Sequence, residues 1–230
     1  MSGARASEIR APSLDPKIVW KDFNMTMQAS HDSFQDPRSI IQSLDALCTD
    51  GAVARYKQQS YELVPVNAAQ ILDVGCGTGD DVLALAERCG PGTFVIGLEQ
   101  RLDLVDEAVR RARNVALHVR FAVGDAHSLP FADDVFDVVR ADRLLREIDD
   151  RSRVLKELVR VTRPGGRLLL HDHETVLTSD RALVVGLSSV ELIGSWPWQP
   201  GEARQVQDRG VSLLGIKAAP SWERAGHGQA

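Results

Sequence analysis

Apolar and polar positions change rhythm three times along this chain of 230 residues. Residues 1–16 carry no regular pattern and include Gly3, Pro12 and Pro16, the texture of a loosely packed or disordered terminus. From 17 to 68 apolar positions fall at helical spacing. This is clearest in "SIIQSLDAL", where Ile40, Ile41, Leu44 and Leu47 share one side, and the segment reads as a helical cap over a pocket. From 69 to 174 short apolar runs alternate with helix-length segments. "AQILDV", "TFVIGLE", "VRFAVGD", "FDVVRAD" and "RLLLHDH" predict five strands, and "DDVLALAERCG", "LDLVDEAVRRARN" and "RSRVLKELVRVT" predict helices, with "RPGG" as a turn. Strands that are apolar throughout imply a parallel sheet covered on both faces. Right-handed crossovers then give an α/β, doubly wound, Rossmann-like fold. From 175 to 230 the signal weakens: "SDRALVVGLSSVELIGSW" is compatible with a helix, "WPWQPG" is a loop, and only "VSLLGIKA" reads as a further strand. The length fits one domain, with 17–68 as cap, 69–174 as core and 175–230 as a substrate-side insert and C-terminal segment.

Charge and composition narrow the classes. A net charge of -5 argues against a sequence-independent grip on nucleic acid, and Arg110, Arg111 and Arg113 read as the solvated face of a helix. Cys48, Cys76 and Cys89 have neither disulfide-scaffold nor metal-site spacing. The N-terminus lacks the apolar core of a signal peptide, and no window reaches membrane-spanning length, so a soluble, cytoplasmic protein is expected.

The chemistry concentrates in "ILDVGCGTGDD", residues 71–81, at the first strand-to-helix turn, where ligands of an open parallel sheet usually bind. Asp80 stands where a dinucleotide fingerprint has its last glycine, and no Lys followed by Ser or Thr closes a Walker loop. Gly75, Gly77 and Gly79 imply a close approach to the backbone. A pyrophosphate among Asp73, Asp80 and Asp81 would be repelled, whereas a cation would be attracted. Glu99, closing "TFVIGLE", lies at the distance from the loop where a carboxylate takes both hydroxyls of a ribose. Asp125, in "VGDAHSLPF", can accept a hydrogen bond from an exocyclic amine. Ribose, amine-bearing base and cationic tail together describe S-adenosyl-L-methionine.

The runs "ILDVGCGTGDD", "VIGLEQ", "GDAHSLPFADDVFDVVRAD" and "LKELVRVTRPGGRLLLHD" resemble, in that order, class I S-adenosylmethionine-dependent methyltransferases similar to the ubiquinone and menaquinone C-methyltransferases and many small-molecule methyltransferases. The resemblance covers roughly the middle half of the chain. It implies that Asp73 faces the methionine amino group, directly or through water, while Gly75, Cys76, Gly77 and Gly79 form the loop under the methionyl part. It further implies that Glu99 holds the ribose, that Gln100, Asp125 and Ala126 meet the adenine, and that Arg140 lies where the family places a backbone contact to the cofactor. The implied reaction is in-line transfer of a methyl group to an O, N or C atom of a small, apolar or aromatic metabolite.

Simpler roles compete. Asp80 and Asp81 suit a helix N-terminus, Asp125 can cap a turn, and Cys76 has no cation beside it to make it reactive. In "LHDHE" alternation puts His171 and His173 on one face and Asp172 and Glu174 on the other. Either histidine is a candidate base, while a metal site lacks a third ligand of recognisable spacing. In "ADRLLREIDD" the family often has a histidine where Glu147 stands, so no catalytic residue is assigned, and Asp142 and Glu147 read as solvated or capping groups. The family's terminal antiparallel strand pair is represented here by "VSLLGIKA" alone. That gap leaves room for completion by a second copy in a homodimer, and for a non-catalytic, cofactor-binding partner subunit. Trp196 and Trp198 can line an apolar pocket or pack on a helix. A nucleotide-cofactor oxidoreductase is the third reading, with Asp73 and Asp80 against it.

Overall fold

Alternation along the apolar strands divides them between two cores. Leu72, Val74, Ile96, Leu98, Val139, Ala141, Leu168 and Leu170 pack on one side, and Ile71, Val95, Phe121, Val138 and Leu169 on the other. Each set needs a covering layer, and the helices supply it. The computed structural model describes residues 19–20, 36–173, 176–177, 187–197 and 209–218. The expectations for residues 1–16, Glu174 and Trp198 lie outside them.

In chain order the elements are β1 (Val19–Trp20), α1 (Pro37–Thr49), α2 (Gly51–Glu62), β2 (Gln70–Val74), α3 (Asp80–Cys89), β3 (Phe94–Glu99), α4 (Leu102–Ala112), β4 (Val119–Val123), β5 (Phe136–Asp142), α5 (Arg151–Val161), β6 (Thr162–His173), β7 (Leu187–Pro197) and β8 (Arg209–Lys217), with a short 3₁₀ turn at Leu145–Glu147. Among the described residues the eight strands form one sheet in the order β1-β4-β3-β2-β5-β6-β8-β7. Strands β4, β3, β2, β5 and β6 run parallel, whereas β8 is antiparallel to β6, β7 to β8 and β1 to β4. Helix α5 covers one face through Val154, Leu155 and Leu158. Helices α3 and α4 cover the other through Val82, Leu85, Val105, Ala108 and Val109. The strand order reverses between β2 and β5, so the cleft beyond their carboxyl ends is the topological switch point where ligands of such folds bind.

Three expectations change. The segment read as a helix around "GLSSVELIGSW" is strand β7, paired with β8, so the antiparallel pair is complete within one chain. Its register shifts between Leu187 and Ser189 and again between Leu192 and Gly194, which breaks the period of two, and Val190 and Leu192 on this edge strand stay exposed. Val19 and Trp20, assigned to the helical cap, instead pair with Val123 and Ala122 at the open edge of β4. "RPGG" is an excursion within β6, because Phe136 pairs with Thr162 and Val138 already with Arg167.

Helices α1 and α2 meet at Asp50, which ends the first and caps the second. Its Oδ1 accepts the N–H of Ala52 at 2.8 Å and of Val53 at 3.0 Å. Asp50→Ala should cost about 1 kcal/mol in urea unfolding. The loss should exceed that of Asp36→Ala, since Asp36 caps α1 through one N–H at 3.3 Å.

Candidate functional site

The turn from β2 into α3 is held from the side of β3. Leu98 O accepts the N–H of Gly75 at 2.8 Å and of Cys76 at 3.1 Å. Gly75, Gly77 and Gly79 take φ of +76°, +53° and +81°, the left-handed region that glycine enters without a Cβ clash. Gly77 N–H donates to Glu99 Oε2 at 3.1 Å and Arg101 N–H to Oε1 at 3.0 Å. Two backbone donors thus orient the carboxylate that ends β3, and each oxygen keeps accepting capacity for another donor.

Two adjoining cavities open here, sharing Gly75, Glu99, Arg101, Asp142, Arg143 and Glu147 as walls. The larger, about 680 Å³, also touches Cys76, Gly77, Asp80 and Asp81 on the loop side and Ile40, Leu44 and Leu47 of α1 on the other. The smaller, about 290 Å³, is bounded by Gln100, Asp125 and Ala126. Seven of the residues singled out from sequence therefore converge: Gly75, Cys76, Gly77, Glu99, Gln100, Asp125 and Ala126. Asp125 Oδ1 also accepts the N–H of His127 at 2.9 Å, so the turn-capping role and the cavity position coexist. Burial, with Asp73 and Glu99 nearby, pushes the Cys76 thiol well up and leaves it unreactive.

Asp73, Gly79 and Arg140 line neither cavity. Gly79 is explained by packing: a Cβ there would lie 2.8 Å from the Phe121 ring and 2.9 Å from Ala108 Cβ. Arg140 is fully buried in β5. Its Nη1 donates to Asp73 at 3.0 Å and Asp81 at 2.8 Å, and its Nη2 to Asp142 at 3.0 Å. Asp73, expected to face the ligand, is thus committed to Arg140.

Asp81 lies in the first turn of α3, as read from the sequence, and is also a hub. It accepts from Lys57 Nζ at 2.7 Å and from Tyr61 Oη at 2.5 Å, besides Arg140. Tyr56 Oη reaches both oxygens of Asp142 at 3.2 Å. Sequence reading missed Tyr56, Lys57 and Tyr61. The available signal was the buried set Tyr56, Lys57 and Ser60 in α2, a helical face that is polar and aromatic where an aliphatic stripe would be usual. Burial alone would raise the Asp81 carboxyl, but Arg140 and Lys57 hold it far below the usual range. Asp73, whose cationic partner among the described residues is Arg140, is pushed up by burial to about 7. Asp80 lies outside this set, bonded to Thr78 Oγ1 at 2.7 Å and to Arg111 at 2.9 Å.

Neither candidate base lines either of these two cavities. His171 is fully buried, with Nδ1 2.7 Å from Ser212 Oγ; burial and then Arg140 hold its pKa down to about 3. His173 is half-buried at the strand end. Asp142 and Glu147 do line both cavities. Among the described residues no group of three or more His, Cys, Asp or Glu is placed to hold a metal ion, and no helix is long and apolar enough to cross a membrane.

Residues 65–204 match the family described as a methyltransferase domain, which spans the glycine loop, Glu99, Asp125 and β6 together. The chain belongs to the class I S-adenosylmethionine-dependent methyltransferases. It is 34% identical over 160 residues to a demethylmenaquinone methyltransferase of Lactobacillus johnsonii, covering 68% of this chain and 62% of that one. It is 38% identical over 185 residues to methyltransferase GfsG of Streptomyces halstedii, covering 78% and 64%. The chain thus spans less than two thirds of the length of both relatives. A putative S-adenosyl-L-methionine-dependent methyltransferase of Methanococcus maripaludis superposes with a TM-score of 0.64 at 16% identity, covering 85% of this chain and 99% of that one, a likeness of fold.

Two outcomes test the roles assigned within this methyltransferase fold. Gly79→Ala adds a Cβ at φ +81° against Phe121 and Ala108 and should cost about 3 kcal/mol in urea unfolding, from backbone strain plus overpacking. His171 stays neutral in the folded protein down to about pH 3, whereas in the unfolded chain it takes up a proton below about pH 6.5. Its folded pKa is depressed, so between those values the unfolded state binds more protons and wild-type stability falls with acidification. His171→Asn removes that loss. The stability deficit of the variant should therefore shrink by about 2 kcal/mol between pH 7.5 and 5.0.

Proposed function

We propose that the protein is an S-adenosylmethionine-dependent methyltransferase that moves a methyl group to an O, N or C atom of a small-molecule metabolite. One observation carries this reading. Glu99, oriented by the loop's own Gly77 N–H, stands in the wall between a cavity bounded by Gln100, Asp125 and Ala126 and a larger one that reaches the cap. A bidentate acceptor beside a small pocket that ends in a second carboxylate suits a ribose diol followed by an amine-bearing base.

The donor set passes the corresponding test of fit. Glu99 retains accepting capacity on both oxygens, Asp125 keeps Oδ2 beside the smaller cavity, and Gly75 and Gly77 present backbone without side chains. In this reading Glu99 holds the ribose, Gln100, Asp125 and Ala126 bound the adenine, and Gly75, Cys76 and Gly77 underlie the amino-acid tail. The bound cofactor supplies an activated sulfonium methyl group, so the chain's own task is alignment and exclusion of water. Ile40, Leu44 and Leu47 of α1 form the apolar wall for an acceptor in the larger cavity. Asp73 and Arg140 serve by fixing the loop and β5 from within the protein, not by touching the ligand.

The competing readings have lost their footing. The non-catalytic one leaned on a missing antiparallel strand, and β7 and β8 supply the pair. The oxidoreductase one is contradicted by the family match.

Calorimetry with S-adenosylmethionine, S-adenosylhomocysteine and NAD tests the proposal. Either adenosyl ligand should bind, and tight binding of NAD alone would overturn it. Glu99→Ala should weaken S-adenosylhomocysteine binding by about tenfold or more, because it removes hydrogen bonds to a charged acceptor, and Asp125→Ala by a smaller factor. Unchanged affinity in both variants would refute the site. Incubation with methyl-labelled cofactor and a metabolite extract should then transfer label to an acceptor.

A further inference from the structure

The cations that line the two cavities are not equally engaged. Lys57 donates to Asp81 at 2.7 Å, Arg101 to Asp103 at 3.1 and 2.5 Å, and Arg146 to Glu147 at 2.5 Å. Arg143 differs. Among the described residues its guanidinium makes no hydrogen bond, and its one ion pair is a 3.5 Å approach of Nε to Asp142 Oδ1. That carboxylate is already taken by Arg140 at 3.0 Å and Tyr56 at 3.2 Å, with Lys57 at 3.8 Å. The remaining donors of Arg143 belong to a side chain only 20% exposed that walls both cavities.

Its backbone is also held in an uncommon state. Arg143 has φ +56°, a left-handed conformation that non-glycine residues other than Asn and Asp seldom adopt and that clusters where a side chain must be aimed. The conformation is fixed by its N–H, which donates to His171 O at 2.7 Å. Of the other carboxylates in the wall of the larger cavity, three are paired with side-chain cations: Asp80 with Arg111, Asp81 with Lys57 and Arg140, and Glu147 with Arg146. An incoming anion would therefore meet a guanidinium with open donors, while the same cavity offers the apolar wall of Ile40, Leu44 and Leu47.

We propose that Arg143 is a specificity-determining residue that seats an ionised oxygen of the acceptor, so that the enzyme selects small molecules carrying a carboxylate or acidic hydroxyl on an apolar body. This rests on the methyltransferase reading and adds the charge of its substrate. The planar fork of the guanidinium fixes the orientation of the anion as well as its presence, which is what in-line transfer to a neighbouring atom requires.

The test uses a pair matched in shape but not in charge, 3-phenylpropanoate and 3-phenylpropanamide, titrated into the full chain with and without S-adenosylhomocysteine. Wild type should prefer the carboxylate by about tenfold or more. Arg143→Asn, a residue that tolerates the left-handed backbone and so keeps the fold, should abolish the preference, and Arg143→Lys should retain part of it. Equal binding of both probes to wild type, or an unchanged preference in the Asn variant, would overturn the proposal. So would an Asn variant that binds S-adenosylhomocysteine weakly but 5′-methylthioadenosine normally, because the guanidinium would then belong to the amino-acid tail of the donor. If S-adenosylhomocysteine does not bind while the carboxylate preference and its dependence on Arg143 persist, the methyltransferase reading fails and the anion seat stands.

Discussion

A guanidinium placed inside a sheet must be neutralised, and the rest of this site is arranged around that requirement. Arg140 has no exposure to water, and an unpaired charge there would be prohibitively costly. Its carboxylate partners come from the end of β2, the start of α3 and the end of β5. Those are the elements on either side of the glycine loop and of the switch point. Meeting the electrostatic demand of one side chain therefore fixes the geometry of the cleft, and losing one partner from such a buried set costs about 3–5 kcal/mol.

The same set draws in the cap. Asp81 and Asp142 carry more negative charge than Arg140 alone can offset, and Lys57, Tyr56 and Tyr61 answer from α2. Arg140 and Lys57 thus face the carboxylates Asp73, Asp81 and Asp142, with Arg143 no nearer than 3.5 Å to the last of them. Asp73 is the carboxylate whose charge is held least firmly.

Much of the fold was legible because strands buried on both faces announce themselves as apolar runs, and β2 through β6 fall where those runs lie. The cavity-lining residues were legible for a related reason: Glu99, Gln100, Asp125 and Ala126 follow the carboxyl ends of strands, so position along the chain implies position in space. The ionic hub was not. Its partners are 24, 59 and 67 residues apart, and nothing local distinguishes an acid that welcomes a ligand from one that neutralises an arginine elsewhere in the chain. The partner that Asp73 and Asp81 share, Arg140, is therefore not announced by the neighbours of either. Strand β7 escaped because two register shifts erased its alternation.

The long separations also bear on the order in which the protein can assemble. Tyr56 and Asp142 are 86 residues apart, and closing a loop of that size is entropically costly until other contacts have already brought its ends together. Lys57 is also without its full complement of carboxylates until β5 has joined β2. Lys57 and Tyr61 can meet Asp81 from 24 and 20 residues away, but the contact of α2 with Asp142 waits for β5. A chain still emerging from the ribosome would hold α2 through its partners in α3 alone until β5 had been made.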